Sequence, residues 1–263
     1  MDRNFRFGAV AGLAPGIEEW TGLARRAEDL GYSTLLVPDT TRTLSPFTAI
    51  AAAAQATSSL RFGTFVLSVS NREPAVVAWE TRTLDMLTGG RFELGLGAGR
   101  PDAEADAVGL GRSFGTAGER YKLLADTIAT VKQSVRPRIL IAAGGPRMTR
   151  LAVNEADIIT ISAPPQAGED ELKTRIDRIR EYAGDRIDQL ELSANLIALG
   201  DEPPRGWPLQ VDLSGSAAVL RGSVDDMVDT LLRRRDSLGI SYVSVNAAYL
   251  DQLAPVVERL AGP

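Results

Sequence analysis

Eight apolar, strand-like runs alternate strictly with eight helix-like runs along this chain, and that alternation most limits the folds open to it. Strands are expected at residues 5–11, 33–37, 62–67, 92–97, 138–142, 157–161, 189–198 and 240–245. Helices are expected at 17–30, 45–56, 74–87, 118–135, 146–154, 169–182, 224–238 and 250–260. The punctuation agrees with this division. Gly31 and Gly239 stand where helices end, Pro74 and Pro146 stand in first turns where a missing N–H does no harm, and Ser223 with Asp226 has the capping-box spacing. The strand runs are apolar almost throughout, as parallel strands covered on both faces must be. A doubly wound open sheet would alternate too. Eight units favour closure into a (β/α)8 barrel, which needs about 250 residues. The 263 residues then form one barrel domain, 1–263, with a Gly- and Pro-rich loop at 200–222. In such a barrel, function sits in the loops that follow the strands. That rule selects Asp39, residues 65–70, 98–101 and 143–146, Ser162 and Asn246 before any motif is weighed.

Composition removes whole classes of chemistry. The chain has no Cys and no His. Thiol nucleophiles, disulfides, His general bases and nearly all zinc sites are therefore excluded, and no metal is expected. Any reaction must borrow a cofactor or run on carboxylates, hydroxyls and Arg. The net charge is −5, and no long basic run offers a nucleic-acid surface. The densest basic cluster, Arg233-Arg234-Arg235, reads as the solvated face of a helix. Trp20 and Trp79 fall on helices and read as core side chains. No apolar run approaches a membrane span, and residues 1–7 lack a signal-peptide core, so a cytoplasmic protein is expected.

Two glycine-rich segments could carry chemistry. Gly95, Gly97 and Gly99 are spaced by two and share one face of a strand. Such a row admits either a flat ligand or another backbone. A dinucleotide fingerprint would need a helix directly after it, whereas Pro101 follows here. Further on, a strand ends at Ala143, Gly144 and Gly145 turn, and a helix opens at Pro146 with Arg147 and Arg150 nearby. Amides at a helix start form a phosphate seat. An ordinary strand-to-helix turn would look the same.

Taken together, several motifs resemble the bacterial luciferase-like monooxygenase superfamily. They are Leu-Arg-Phe-Gly-Thr at 60–64, Arg-Glu-Pro at 72–74, the stretch from Thr83 through Thr-Gly-Gly-Arg-Phe-Glu-Leu-Gly-Leu-Gly-Ala-Gly to Gly99, and Gly-Gly-Pro-Arg-Met at 144–148. Arg-Arg-Ala-Glu-Asp-Leu-Gly-Tyr at 25–32 and Leu-Arg-Gly-Ser at 220–223 agree in order. The likeness is nearest to the branch of coenzyme F420-dependent oxidoreductases. It implies a flavin or deazaflavin ring at the mouth of the barrel. The ring would rest on a bulge after the third strand, with a cis peptide at Phe65–Val66, and beside Ala98, Gly99 and Arg100. It implies a phosphate held around Ala143, Gly144, Gly145, Pro146 and Arg147. Many deazaflavin members carry Asp-His after the second strand, and some carry Glu after the fourth. Here Asp39-Thr40 and Arg100 stand in those places, so Asp39 and Thr40 become the candidates for catalysis. The resemblance also implies a lid insertion between helix 4 and strand 5, which this chain has in shortened form, and a homodimer.

The expected activity is hydride transfer between coenzyme F420 and a small organic substrate, with the cofactor supplying the chemistry. An FMN-dependent monooxygenase on the same scaffold is the alternative. A homologue that binds a flavin without turning it over is the second alternative, since the His and much of the lid are missing.

Overall fold

The computed structural model describes residues 3–200 and 212–262. Half of the expected 200–222 loop, residues 201–211, thus lies outside the described residues. The strands are β1 (Arg6–Val10), β2 (Thr34–Val37), β3 (Arg61–Thr64), β4 (Phe92–Gly97), β5 (Arg138–Ala143), β6 (Ile158–Ile161), β7 (Glu191–Leu196) and β8 (Ile240–Asn246). The helices are α1 (Ile17–Asp29), α2 (Pro46–Ala54), α3 (Pro74–Leu87), α4 (Ala117–Ser134), α5 (Pro146–Glu155), α6 (Glu169–Ala183), α7 (Val224–Leu238) and α8 (Leu250–Leu260). Neighbouring strands run in the order β3-β2-β1-β8-β7-β6-β5-β4, and β4 pairs again with β3. The fold is the (β/α)8 barrel. Only Val135, Arg136 and Pro137 separate α4 from β5, where the insertion was expected to be short. A helix the sequence did not announce, Glu104–Gly109, lies between β4 and α4.

Contacts gather the chain into two compact units. One comprises Met1–Val10, Ala27–Thr34 and Ala143–Pro263. In it β1 pairs with β8 and β8 with β7, all parallel, with Phe7 opposite Val243 and Ser244 opposite Asn195. Arg6, the first residue of β1, donates to the Glu191 carboxylate at 2.7 Å and lies 4.5 Å from the Tyr242 ring centroid. A buried carboxylate is tolerable only when paired in this way. Ser223 and Asp226 form the expected capping box on α7, and Gly239 ends that helix at φ 80°. The Arg233–Arg235 run departs from its sequence reading. Arg234 is only 7% exposed and donates to Glu169 at 2.9 Å and to the Ala217 carbonyl at 2.8 Å. Arg233 grips the same Glu169, and the hydrogen bonds and charges of the two guanidiniums hold its carboxyl down at about 2. Position, not composition, decided this: the acid partner lies 65 residues away in sequence.

The second unit comprises Ala11–Arg26 and Leu35–Ala142. Here the buried Glu93 on β4 is flanked by Arg61 at 2.7 Å and Arg138 at 3.5 Å, each the first residue of its own strand. Trp20 is buried as expected and donates its indole N–H to the Ala49 carbonyl at 2.7 Å. Trp79 is not core; it is 65% exposed on α3. Arg91 closes the ends of two helices. Its guanidinium donates to the carbonyls of Ala54, Leu60 and Thr88 and to the Thr57 hydroxyl, and lies over the Phe62 ring.

The expected strand at 62–67 breaks after Thr64, and the reason lies on its neighbour. Gly63 pairs with Glu93, and the ladder resumes with Leu67 opposite Leu96. Between these pairs one strand has one residue more than the other, which makes a bulge. The Thr64 hydroxyl bridges the gap, accepting the Gly95 N–H at 2.9 Å and donating to the Gly95 carbonyl at 2.7 Å. A Cβ on Gly95 would stand 1.9 Å from the Thr64 carbonyl oxygen, and one on Gly97 would stand 2.7 Å from Val66 Cγ2. These two glycines of the row therefore admit the bulging backbone and its side chain. Gly95→Ala should cost at least about 2–3 kcal/mol, the scale of a rigid overpacked core. Urea unfolding of the variant beside wild type measures it, and a loss below about 0.5 kcal/mol would mean the bulge yields freely.

Candidate functional site

In the second unit the bulge places Phe65 and Val66, both half-buried, after β3, and the peptide between them is cis, at the bond the resemblance implied. Asp39 follows β2. Its side chain is 5% exposed and both carboxylate oxygens accept hydrogen bonds. It accepts from the Ser68 N–H at 3.0 Å, from Asn71 Nδ2 at 3.1 Å and from Arg72 Nη1 at 2.8 and 2.9 Å. Asp39 thus pins the chain that follows the bulge. Thr40 organises the next turn: its hydroxyl accepts the Arg42 N–H at 3.0 Å, and its carbonyl accepts from the Thr43 hydroxyl at 2.9 Å. Beside Asp39, the Ser68 hydroxyl and Asn71 Oδ1 are buried with no hydrogen-bond partner among the described residues.

The turn after β4 is fixed from one side. Arg120 donates to the Ala98 carbonyl at 2.8 Å and stacks 4.1 Å from the Phe114 ring centroid. Gly99 has φ 80°, and a Cβ there would stand 3.0 Å from both the Phe114 ring and Ser68 Oγ. Arg100 is 81% exposed and pairs with Asp102 at 2.9 Å.

In the first unit, Gly144 and Gly145 turn the chain from β5 into α5. Gly145 is the N-cap, exposed and extended at φ −104°, with no side-chain cap, and its Cβ position meets nothing within 4 Å. The first intrahelical bond runs from the Thr149 N–H to the Gly145 carbonyl at 2.9 Å. Amides ahead of that bond have no acceptor inside the helix. Arg175 holds the turn from behind, donating to the Gly144 carbonyl at 3.0 Å and to the Ser162 carbonyl at 2.8 Å while paired with Glu171. Of the two arginines near the helix start, Arg147 is exposed, whereas Arg150 stacks 3.9 Å from the Tyr182 ring centroid. Among the described residues no group of three or more acidic side chains could hold a metal ion.

A family model for luciferase-like monooxygenases matches residues 4–203. The chain belongs to that family. Among relatives of this luciferase-like chain, 4-hydroxyprotoasukamycin monooxygenase from Streptomyces nodosus subsp. asukaensis is 37% identical over 106 residues, 38% of the chain and 29% of the relative. A protein of Mycobacterium tuberculosis that bears the name of a coenzyme F420-dependent oxidoreductase is 37% identical over 79 residues, 30% of the chain and 22% of the relative. The chain thus spans less than a third of each of these relatives' own length. Among solved structures, an F420-dependent secondary alcohol dehydrogenase superposes with a TM-score of 0.78 at 15% identity, covering 99% of this chain and all of that one. That likeness concerns the fold.

Sequence reasoning on this luciferase-like chain found the turns but missed what braces them. Arg72, Asn71 and Ser68 hold Asp39, Arg120 holds Ala98, and Arg175 holds Gly144. Only the Glu171–Arg175 spacing, four apart on a helix, signals any of them in sequence, and it signals a surface pair rather than a brace. Arg72 also faces Glu80 at 3.9 Å, so one guanidinium stands between two carboxylates. Burial pushes the Glu80 carboxyl up; the Arg72 charge opposes this, and the Asp39 charge adds to it. A raised native value penalises folding once pH rises above the unfolded carboxyl's range, so the stability held with the proton on is lost on the way to neutrality. Glu80→Gln should therefore gain up to about 1 kcal/mol at pH 7 after allowance for solvent screening, with the gap closing towards pH 4. Urea unfolding at both pH values checks this; a less stable variant at pH 7 would show that attraction to Arg72 outweighs burial.

Proposed function

We propose that this luciferase-like protein is an oxidoreductase that passes a hydride between coenzyme F420 and a small organic substrate. The observation that carries the reading is the open start of α5, where an uncapped, exposed Gly145 leads into first-turn amides beside Arg147. Such a donor set suits a phosphate. The half-buried Phe65 and Val66, and the braced turn at Ala98, Gly99 and Arg100, suit one face of a flat ring. When bound, the deazaflavin supplies or accepts the hydride; the chain orients it and excludes water. Gly144 and Gly145 let the turn lie close to the phosphate, and Arg175 keeps it in shape. Asp39, bonded through both carboxylate oxygens, is a positioning residue: it fixes the bulge through Ser68, Asn71 and Arg72. Thr40, whose hydroxyl accepts a hydrogen bond and retains its proton, is the candidate to hydrogen-bond the substrate.

Two other readings rest on specific observations. The relative from Streptomyces favours an FMN-dependent monooxygenase, since FMN also offers a flat ring and a phosphate. The engagement of the Asp39 carboxylate by Ser68, Asn71 and Arg72 favours a homologue that binds a flavin without turnover, because that acid already serves the fold. Gly145→Asp separates binding from folding. Aspartate is a good N-cap, so α5 should keep or gain stability. Its charge should weaken retention of F420 and FMN by about tenfold or more, equivalent to roughly 1.4 kcal/mol. Equilibrium dialysis with each cofactor reads this, and unchanged retention would remove the phosphate seat. Reoxidation of reduced F420 by unsaturated or carbonyl substrates then distinguishes an enzyme from a binder.

A second copy of the chain is the proposed macromolecular partner. The outward face of α3 carries Val76, Trp79, Met86 and Leu87 at 39%, 65%, 73% and 52% exposure. An apolar helix face of this kind marks an interaction surface. In an antiparallel two-fold pairing of α3 with itself, Trp79 would meet the partner's Met86. Trp79→Glu should shift a dimer to monomer in sedimentation velocity at about 10 μM while its melting temperature holds, since the side chain is exposed in the monomer. A wild type already monomeric at that concentration would remove the pairing.

A further inference from the structure

A cavity of about 530 Å3 opens at the N-terminal ends of β7 and β8, away from every loop assigned above. Its lining belongs wholly to the unit that contains those two strands. Small-molecule sites commonly span roughly 300–1,000 Å3, so its size is in range. Leu190, Leu192 and Leu238, each no more than 5% exposed, give it an apolar floor. Three arginines and two aspartates, Arg3, Arg180, Arg235, Asp188 and Asp236, give it a charged rim.

The arginines are held in place before any ligand arrives. Arg180 donates to Asp177 at 3.2 Å and to the Ser237 carbonyl at 3.3 Å. Arg235 lies 5.3 Å from the Phe5 ring centroid and donates to Asp236 at 3.1 Å. Arg3 donates to the Asp188 main-chain carbonyl. Each guanidinium carries five donors in a rigid fork. The two carboxylates sit further out. Asp188 is exposed and the Asp236 side chain is 66% exposed, against 19% for Arg235 and 38% for Arg180. With Asp236 66% exposed, the acid side of that pair is open to solvent, and another anion can replace its carboxylate. At the floor, the register shifts between Ile240 and Tyr242, which makes Ser241 the extra residue of a β-bulge. Ser241 lines the cavity, and its hydroxyl has no hydrogen-bond partner among the described residues.

We propose that this cavity binds a small organic oxyanion, a carboxylate or phosphate carried on a short apolar body. The oxyanion takes donors from Arg180 and Arg235, displacing Asp236, and the body lies on the three leucines. The proposal is independent of the redox reading, because none of these residues contributes to the cofactor turns.

Isothermal titration of the whole protein with hexanoate, phenyl phosphate and hexylamine tests it. Either anion should bind saturably with a Kd at or below about 1 mM, and hexylamine should not bind; the tighter of the two anions identifies the head group. Asp236→Asn should tighten anion binding about threefold or more by removing the competing carboxylate, and Arg180→Ala should weaken it about tenfold. Both substitutions are at the surface, and cofactor retention should be unchanged in each. The proposal is overturned if neither anion saturates below about 10 mM, or if hexylamine binds as well as the acids. Binding that ignores both Asp236→Asn and Arg180→Ala overturns it equally, and Asp236→Asn alone decides if Arg180→Ala fails to fold.

Discussion

Among the described glycines, Gly95 has the least room: a single added carbon there would stand 1.9 Å from the Thr64 carbonyl oxygen. Much of the mouth follows from it. Because β4 yields at Gly95 and Gly97, the backbone after β3 can bulge inwards and seat Val66 there. Because Thr64 returns its hydroxyl to both the N–H and the C=O of Gly95, those two backbone groups stay paired where the ladder is interrupted. Phe65 and Val66 are then presented by a rigid sheet instead of a loose loop.

Arginine does much of the bracing around this geometry. The chain has 26 Arg and 3 Lys. A planar fork of five donors can serve several acceptors at once, whereas an ammonium acts as a point charge. Arg72 closes on Asp39 through both carboxylate oxygens, Arg120 ties the turn after β4, and Arg175 ties the turn before α5. The last two turns are rich in Ala, Gly and Pro, and arginines from outside them hold their carbonyls. The same device serves the Glu93 and Glu191 carboxylates at the opposite ends of the strands.

How much of this could be read from sequence varied with the range of the interaction. Period, caps and glycine stops are local, and α3, β4 and α8 fall at their expected limits. The capping box at Ser223 was legible for the same reason. The break in β3 was not, since it depends on glycines on a strand some 30 residues later. Arg234 and Trp79 were misread in opposite directions. A charge run looks solvated until its partner is known, and an indole looks buried until its helix face is known. The resemblance to luciferase-like proteins located the cis bond and the turns; the braces from Arg72, Arg120 and Arg175 came only with the coordinates. Asp39 changed most. In sequence it stands where an acid would act, and in the fold it also ties Ser68, Asn71 and Arg72 together.

Arg91 has a further consequence. Its one guanidinium closes the carbonyl end of α2 at Ala54 and the carbonyl beyond α3 at Thr88, while resting on the Phe62 ring beneath. Both helix termini therefore hang on one side chain, Nε serving Thr88 and Nη2 serving Ala54. The two helices are thereby joined into one opening unit, and amide protons in their last turns should exchange with solvent together.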